Sequence, residues 1–176
     1  MPIESEALSE QPPLITDARD FGGRNADQPS FAALLGTLYV AAVLVNFLWE
    51  VPQMALYEWW DASWAIGLLI CFQAALGDGL LVLALYGFGY VLFRRREWIL
   101  QPSVAGYTLL VLAGLVVAVA IEMHALAWNR WSYNTLMPLI PGLGVGLVPV
   151  AQMMLLPLLA AHLTRWRLVR GRSVVA

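Results

Sequence analysis

Asn46-Phe47-Leu48-Trp49-Glu50-Val51-Pro52-Gln53-Met54-Ala55-Leu56-Tyr57 places one carboxylate inside a run that otherwise reads as a membrane span. An ionisable group at that depth costs several kcal/mol, so it marks a candidate functional position and sets the solvent for the whole chain. Outward from this run the pattern repeats. Of 176 residues 60% are hydrophobic and only 12% charged, too few charges to clothe a water-soluble domain of this size. At about 20 residues per crossing, apolar runs fit four times, over Phe31 to Tyr57, Ala65 to Phe93, Ser103 to Trp128 and Leu136 to Leu163. The expected fold is all-α, a polytopic membrane protein with four transmembrane helices in a bundle over residues 31–164.

The flanks differ. Residues 1–30 carry Glu4, Glu6, Glu10, Asp17, Asp20 and Asp27 against Arg19 and Arg24, with few large apolar groups, and read as a mobile acidic tail. The start is acidic and hydrophobicity begins only at Phe31, so no cleavable secretory signal is expected. The chain contains no lysine, and its arginines set the orientation. Arg94-Arg95-Arg96 and the group Arg165, Arg167, Arg170 and Arg172 follow the second and fourth spans, which puts both on one side. By the positive-inside rule that side is the cytoplasm. Both termini, including the basic tail 165–176, are then expected inside a bacterial inner (cytoplasmic) membrane. The loops Glu58-Trp59-Trp60-Asp61-Ala62-Ser63-Trp64 and Trp128-Asn129-Arg130-Trp131-Ser132-Tyr133-Asn134 face outward as an aromatic belt.

Composition excludes several chemistries. Without lysine there is no retinal Schiff base. Cys71 is the single cysteine, so neither a disulfide nor a thiolate metal site is expected. His124 and His162 fall near opposite faces, which disfavours a bis-histidine haem in one subunit. His124 and Glu122, two apart on a helix, point about 200° from one another and do not share an ion. No cofactor, metal or nucleic acid is expected, although a pigment or metal at a subunit boundary stays open.

The polar groups converge instead. At about 100° per residue, Asn46, Glu50, Gln53 and Tyr57 fall within an arc of about 60° on the first helix. Such a stripe must face inward, either to make interhelical hydrogen bonds or to line a site. Pro52 removes a donor to the carbonyl of Leu48, so a bend is expected there. Glu122 lies roughly 8 Å inside the end of the third span and Glu50 roughly 10 Å inside the first, which places them in one layer. Facing each other at an apolar site, they would supply one proton donor and one base. Asp78, between Gly77 and Gly79, counts to roughly 20 Å into the second span and is expected deeper. It either accepts bonds from a neighbouring helix or relays protons. Pro138 and Pro141, followed by the alternating Gly142, Gly144 and Gly146, predict a bent or partly unwound entry to the fourth span, and Gly142 and Gly146 match the small-xxx-small packing spacing. Arg130 is the lone outer base, placed to pair with a carboxylate or to sit solvated at the rim.

Glu122, Asn129-Arg130-Trp131-Ser132-Tyr133, Met137-Pro138-Leu139-Ile140-Pro141-Gly142 and Leu147-Val148-Pro149-Val150-Ala151-Gln152 together resemble a pattern of small bacterial four-span membrane proteins. They are also similar to the integral-membrane carotenoid cyclases and hydratases, in which a membrane glutamate precedes an aromatic-rich loop and a proline- and glycine-rich helix. The resemblance implies cofactor-free protonation of a polyene or isoprenoid double bond, with Glu122 as the family glutamate. The acidic Pro-x-Glu-Glu signature of the cyclases is absent.

Three functional expectations follow. The first is an intramembrane enzyme in which Glu50, Glu122 and Asp78 are catalytic, while Asn46, Gln53, Tyr57, Trp131, Tyr133 and Gln152 bind a lipophilic ligand from the bilayer. The second is a non-catalytic subunit or assembly factor of a larger respiratory or photosynthetic membrane complex. The third is a small proton-coupled transporter, for which no inverted repeat is visible.

Overall fold

The computed structural model describes residues 29–58, 63–101 and 103–169. Most of the expected acidic tail, residues 59–62 of the first tryptophan loop and residues 170–176 of the basic tail lie outside the described residues. Four helices are long and apolar enough to cross a membrane: α1 (Phe31–Gln53), α2 (Trp64–Phe93), α3 (Val104–Ala127) and α4 (Leu147–Val169). Among the described residues there is no strand.

Serine starts three of the four. The hydroxyls of Ser30, Ser63 and Ser103 accept from the backbone N–H of Ala33, Ile66 and Gly106, which satisfies donors that a helix start leaves open. Two ends turn on left-handed residues, Arg94 after α2 and Asn129 shortly after α3. α1 packs against α2 on one side and α4 on the other, and α3 packs against α4. The order around the bundle is therefore α2, α1, α4, α3. Direct contact between α2 and α3 is sparse, so the bundle has one open seam.

Buried positions recur every fourth residue, and the small ones among them let the helices approach. α2 buries Gly67, Cys71, Ala75 and Gly79, and α3 buries Gly106, Leu110, Gly114, Ala118 and Glu122. Gly79 faces Tyr39 and Val43 of α1, and Gly114 lies directly against the Met153 carbonyl of α4. The outward faces carry Leu44, Leu48, Leu80 and Val116, a surface suited to hydrocarbon. At the arginine end, Trp98 wedges between α2 and α3. Its indole stacks on Tyr86 at 6.0 Å and donates to the Tyr86 carbonyl at 3.2 Å. Gly89 leaves it room, and Gly106 of α3 lies against its other edge.

Two span boundaries differ from those expected. A bend at Pro52 within a helix running to Tyr57 is the sequence expectation. Instead α1 ends at Gln53 and passes into a short 3-10 turn, Met54–Leu56, because the missing N–H falls in the last turn. The expected unwound entry to the fourth span is present, yet it takes up everything before Leu147. Ile140 N–H donates to the Val145 carbonyl at 2.8 Å and Leu147 N–H to the Pro138 carbonyl at 2.7 Å. Gly142 and Gly144 stand at φ +82° and +68°, conformations that glycine adopts without steric cost. Gly142 and Gly146 therefore shape a loop rather than pack two helices. α4 starts eleven residues later than expected and runs through Arg165 and Arg167.

Candidate functional site

Gln152 on α4 is the hub of the bundle interior. Its Nε2 lies 2.7 Å from Glu50 Oε1, 2.8 Å from Asp78 Oδ2 and 2.9 Å from Asn46 Oδ1. Two amide hydrogens thus meet three acceptors drawn from α1 and α2. The Glu50 and Asp78 side chains are thereby brought beside each other on one nitrogen. Asp78 therefore stands level with Glu50, not deeper. α2 has 30 residues against 23 in α1, so counting inward from its end overstates how far Asp78 has travelled.

Glu122 is held separately. Its Oε2 accepts from the Trp131 indole at 3.2 Å and from the Tyr133 hydroxyl. Tyr133 in turn accepts from Gly146 N–H at 2.9 Å, which ties the glycine loop to the carboxylate. With both donors on one oxygen, any proton on Glu122 resides on Oε1. The α1–α2 and α3–α4 connections are stitched together over this point. Tyr57 bridges to Tyr133, Glu58 N–H donates to the Ser132 carbonyl at 3.0 Å and Asn134 N–H to the Leu56 carbonyl at 3.0 Å. The Tyr57 ring meets Trp131 edge-on at 6.4 Å.

Beneath this cover lies a cavity of about 430 Å³, within the range of small-molecule pockets. Glu50, Asp78, Glu122, Gln53, Tyr57, Trp131 and Gln152 all line it. Two residues expected to bind a ligand stand behind the wall. Asn46 is fully buried, donating to the Ala42 carbonyl and accepting from Gln152, and Tyr133 supports Glu122. Gln53 faces the cavity while accepting from Trp49 of its own helix at 2.8 Å. Burial and the surrounding charges of Glu122 and Glu50 push the Tyr57 hydroxyl well above the usual phenol range. Burial, with the bond to Glu122, does the same to Tyr133.

Several lining groups were not singled out by sequence reasoning. Glu58 caps the cavity and accepts from the Ser132 hydroxyl at 2.9 Å. Met54 and Met153 line it with the buried Cys71, whose thiol contacts the Glu50 carbonyl at 3.7 Å. No signal in composition marks Met54 or Met153, since each is an ordinary residue on an apolar face. Arg130 is exposed at the rim, and among the described residues the one ion pair is Arg96 with Glu97. His124 is exposed against Trp128 and stays apart from the site.

No family model, curated protein or solved structure matches this chain.

Proposed function

We propose that this is an integral membrane protein of the bacterial inner membrane, with both termini cytoplasmic, whose interior carboxyl groups perform acid–base chemistry on a lipophilic, isoprenoid-like substrate. The observation that carries this reading is the convergence of the Glu50–Asp78 pair and Glu122 on one cavity. One member of the pair, in its acid form, is the donor to a substrate double bond. Glu122, with Oε2 engaged by Trp131 and Tyr133, accepts a proton from the adjacent carbon, or from water that adds to the resulting cation. Gln152 orients the donor pair. Tyr57 and Trp131 place aromatic rings beside the developing positive charge, which ring faces stabilise. Arginine clustering at the Arg94 and Arg165 ends supports the orientation.

Protonation of carbon leaves an isotopic record. In heavy water, wild-type protein in nanodiscs supplied with isoprenoid and polyene lipids incorporates deuterium at lipid carbon, and Glu50→Gln does not. Mass spectrometry reads the result. No incorporation by the wild type, or equal incorporation by the variant, ends this reading.

A further inference from the structure

The open seam between α2 and α3 is continuous with the cavity. Ile70, Ala74 and Leu81 of α2 form one wall and Ala118 and Ile121 of α3 the other. Trp98 ties these two helices at the arginine end, while elsewhere their direct contact is sparse. At the far end, bonds between residues 55–58 and 132–134 join the two connections. An apolar slot thus runs from the outward apolar surface to the carboxyl groups.

The charges along this route restrict what passes. Glu50, Glu58, Asp78 and Glu122 line the cavity against Arg130 alone, and Arg130 makes no ion pair with any of them. An anionic head group entering there would leave water and meet like charge, a double cost in a low dielectric. The volume, about 430 Å³, suits one chain rather than a two-chain phospholipid.

We infer that the site takes a single-chain, uncharged membrane lipophile sideways from the bilayer through the α2–α3 seam, and rejects anionic lipids of the same skeleton. This rests on the acid–base reading only for the identity of the site; entry and charge selection are read by binding without turnover. The probes are retinol and retinoic acid, which share a polyene chain and differ in charge. In nanodiscs of zwitterionic lipid, retinol fluorescence rises saturably with wild-type protein, and retinoic acid displaces it at least about tenfold less well than its uncharged methyl ester does. Ala74→Trp fills the slot and weakens retinol binding about tenfold or more. Leu69→Trp, on the outward face of the same helix and away from the cavity, leaves binding unchanged. Should Ala74→Trp fail to fold, Ile121→Trp tests the opposite wall. Equal displacement by retinoic acid overturns the charge selection, and wild-type affinity in a folded slot variant overturns the lateral route. Retinol binding without deuterium incorporation would instead end the proposed chemistry and leave this inference standing.

Discussion

Gln152 on α4 reaches past α1 to Asp78 on α2, a 2.8 Å hydrogen bond between helices that have α1 packed between them. The same amide nitrogen holds Glu50 and Asn46, so one side chain joins three spans at one level. Position 152 is thereby both a structural clasp and the group that fixes the proposed acid.

Replacing this clasp leaves acceptors without a donor. Gln152→Leu keeps the approximate volume and strips three buried or half-buried acceptors of their amide partner. The expected loss is about 1–3 kcal/mol, the cost of unsatisfied buried polar groups rather than the smaller net value of a membrane hydrogen bond. Thermal unfolding in mild detergent measures it, and an unchanged midpoint would show that the cluster satisfies itself without Gln152.

Gly114 separates close packing from mere tolerance. A Cβ there meets the Met153 backbone carbonyl, which cannot swing aside as a side chain would. Gly114→Ala therefore pushes α3 from α4 and costs about 1–3 kcal/mol, as overpacking does. Gly77→Ala is the contrast, because nothing lies within 4 Å of its added methyl. There the helix gains up to about 1 kcal/mol from the better helix former. Parallel melts of the two variants should diverge in sign.

Hydropathy made the four long apolar helices legible, because length and apolar composition are read locally and not from neighbours. The prolines and glycines between Met137 and Gly146 likewise announced irregular backbone, since φ restrictions are local. What stayed hidden depends on helix order. Nothing in the chain tells Gln152 which acids it meets, and Asp78 appeared too deep because span ends do not lie at one height. Gly114 was overlooked for the same reason: its meaning lies in the Met153 carbonyl opposite, whereas Gly142 and Gly146 carry the familiar spacing but shape a loop. The carboxylates were found because each stands out locally against apolar surroundings. Their partners Trp131 and Tyr133 were found through the loop motif.

Trp98 should control whether the seam stays pinned. Its ring fills the groove at Gly89, stacks on Tyr86 and packs against Phe93 at 5.4 Å. Trp98→Ala is expected to cost about 3–5 kcal/mol, the usual penalty for emptying a large aromatic site. Trp98→Phe retains most of the wedge and forfeits the bond to the Tyr86 carbonyl, for a loss nearer about 1 kcal/mol. Chemical denaturation of both variants checks the ratio, and a costless Trp98→Ala would show that α2 and α3 are held together elsewhere.

Alkaline pH tests the electrostatics of the cover without touching the proposed reaction. Tyr57 and Tyr133 are pushed upward from the ordinary phenol value, chiefly by burial and further by the carboxylate side of the cavity. In the unfolded chain both ionise near pH 10. Above that value the unfolded state has shed protons that the folded state retains, so stability is full below about pH 10 and falls as pH rises beyond it. Tyr57→Phe removes one of the two groups and should flatten the decline, while Tyr133→Phe flattens it and also lowers the plateau by the lost bond to Glu122. Denaturation midpoints followed from neutral to strongly alkaline pH, with the phenolate absorbance recorded alongside, read both effects. Ionisation of all tyrosines near pH 10 in the folded protein would mean that water reaches the Tyr57–Tyr133 bridge, and the cover over the cavity would then be open from above.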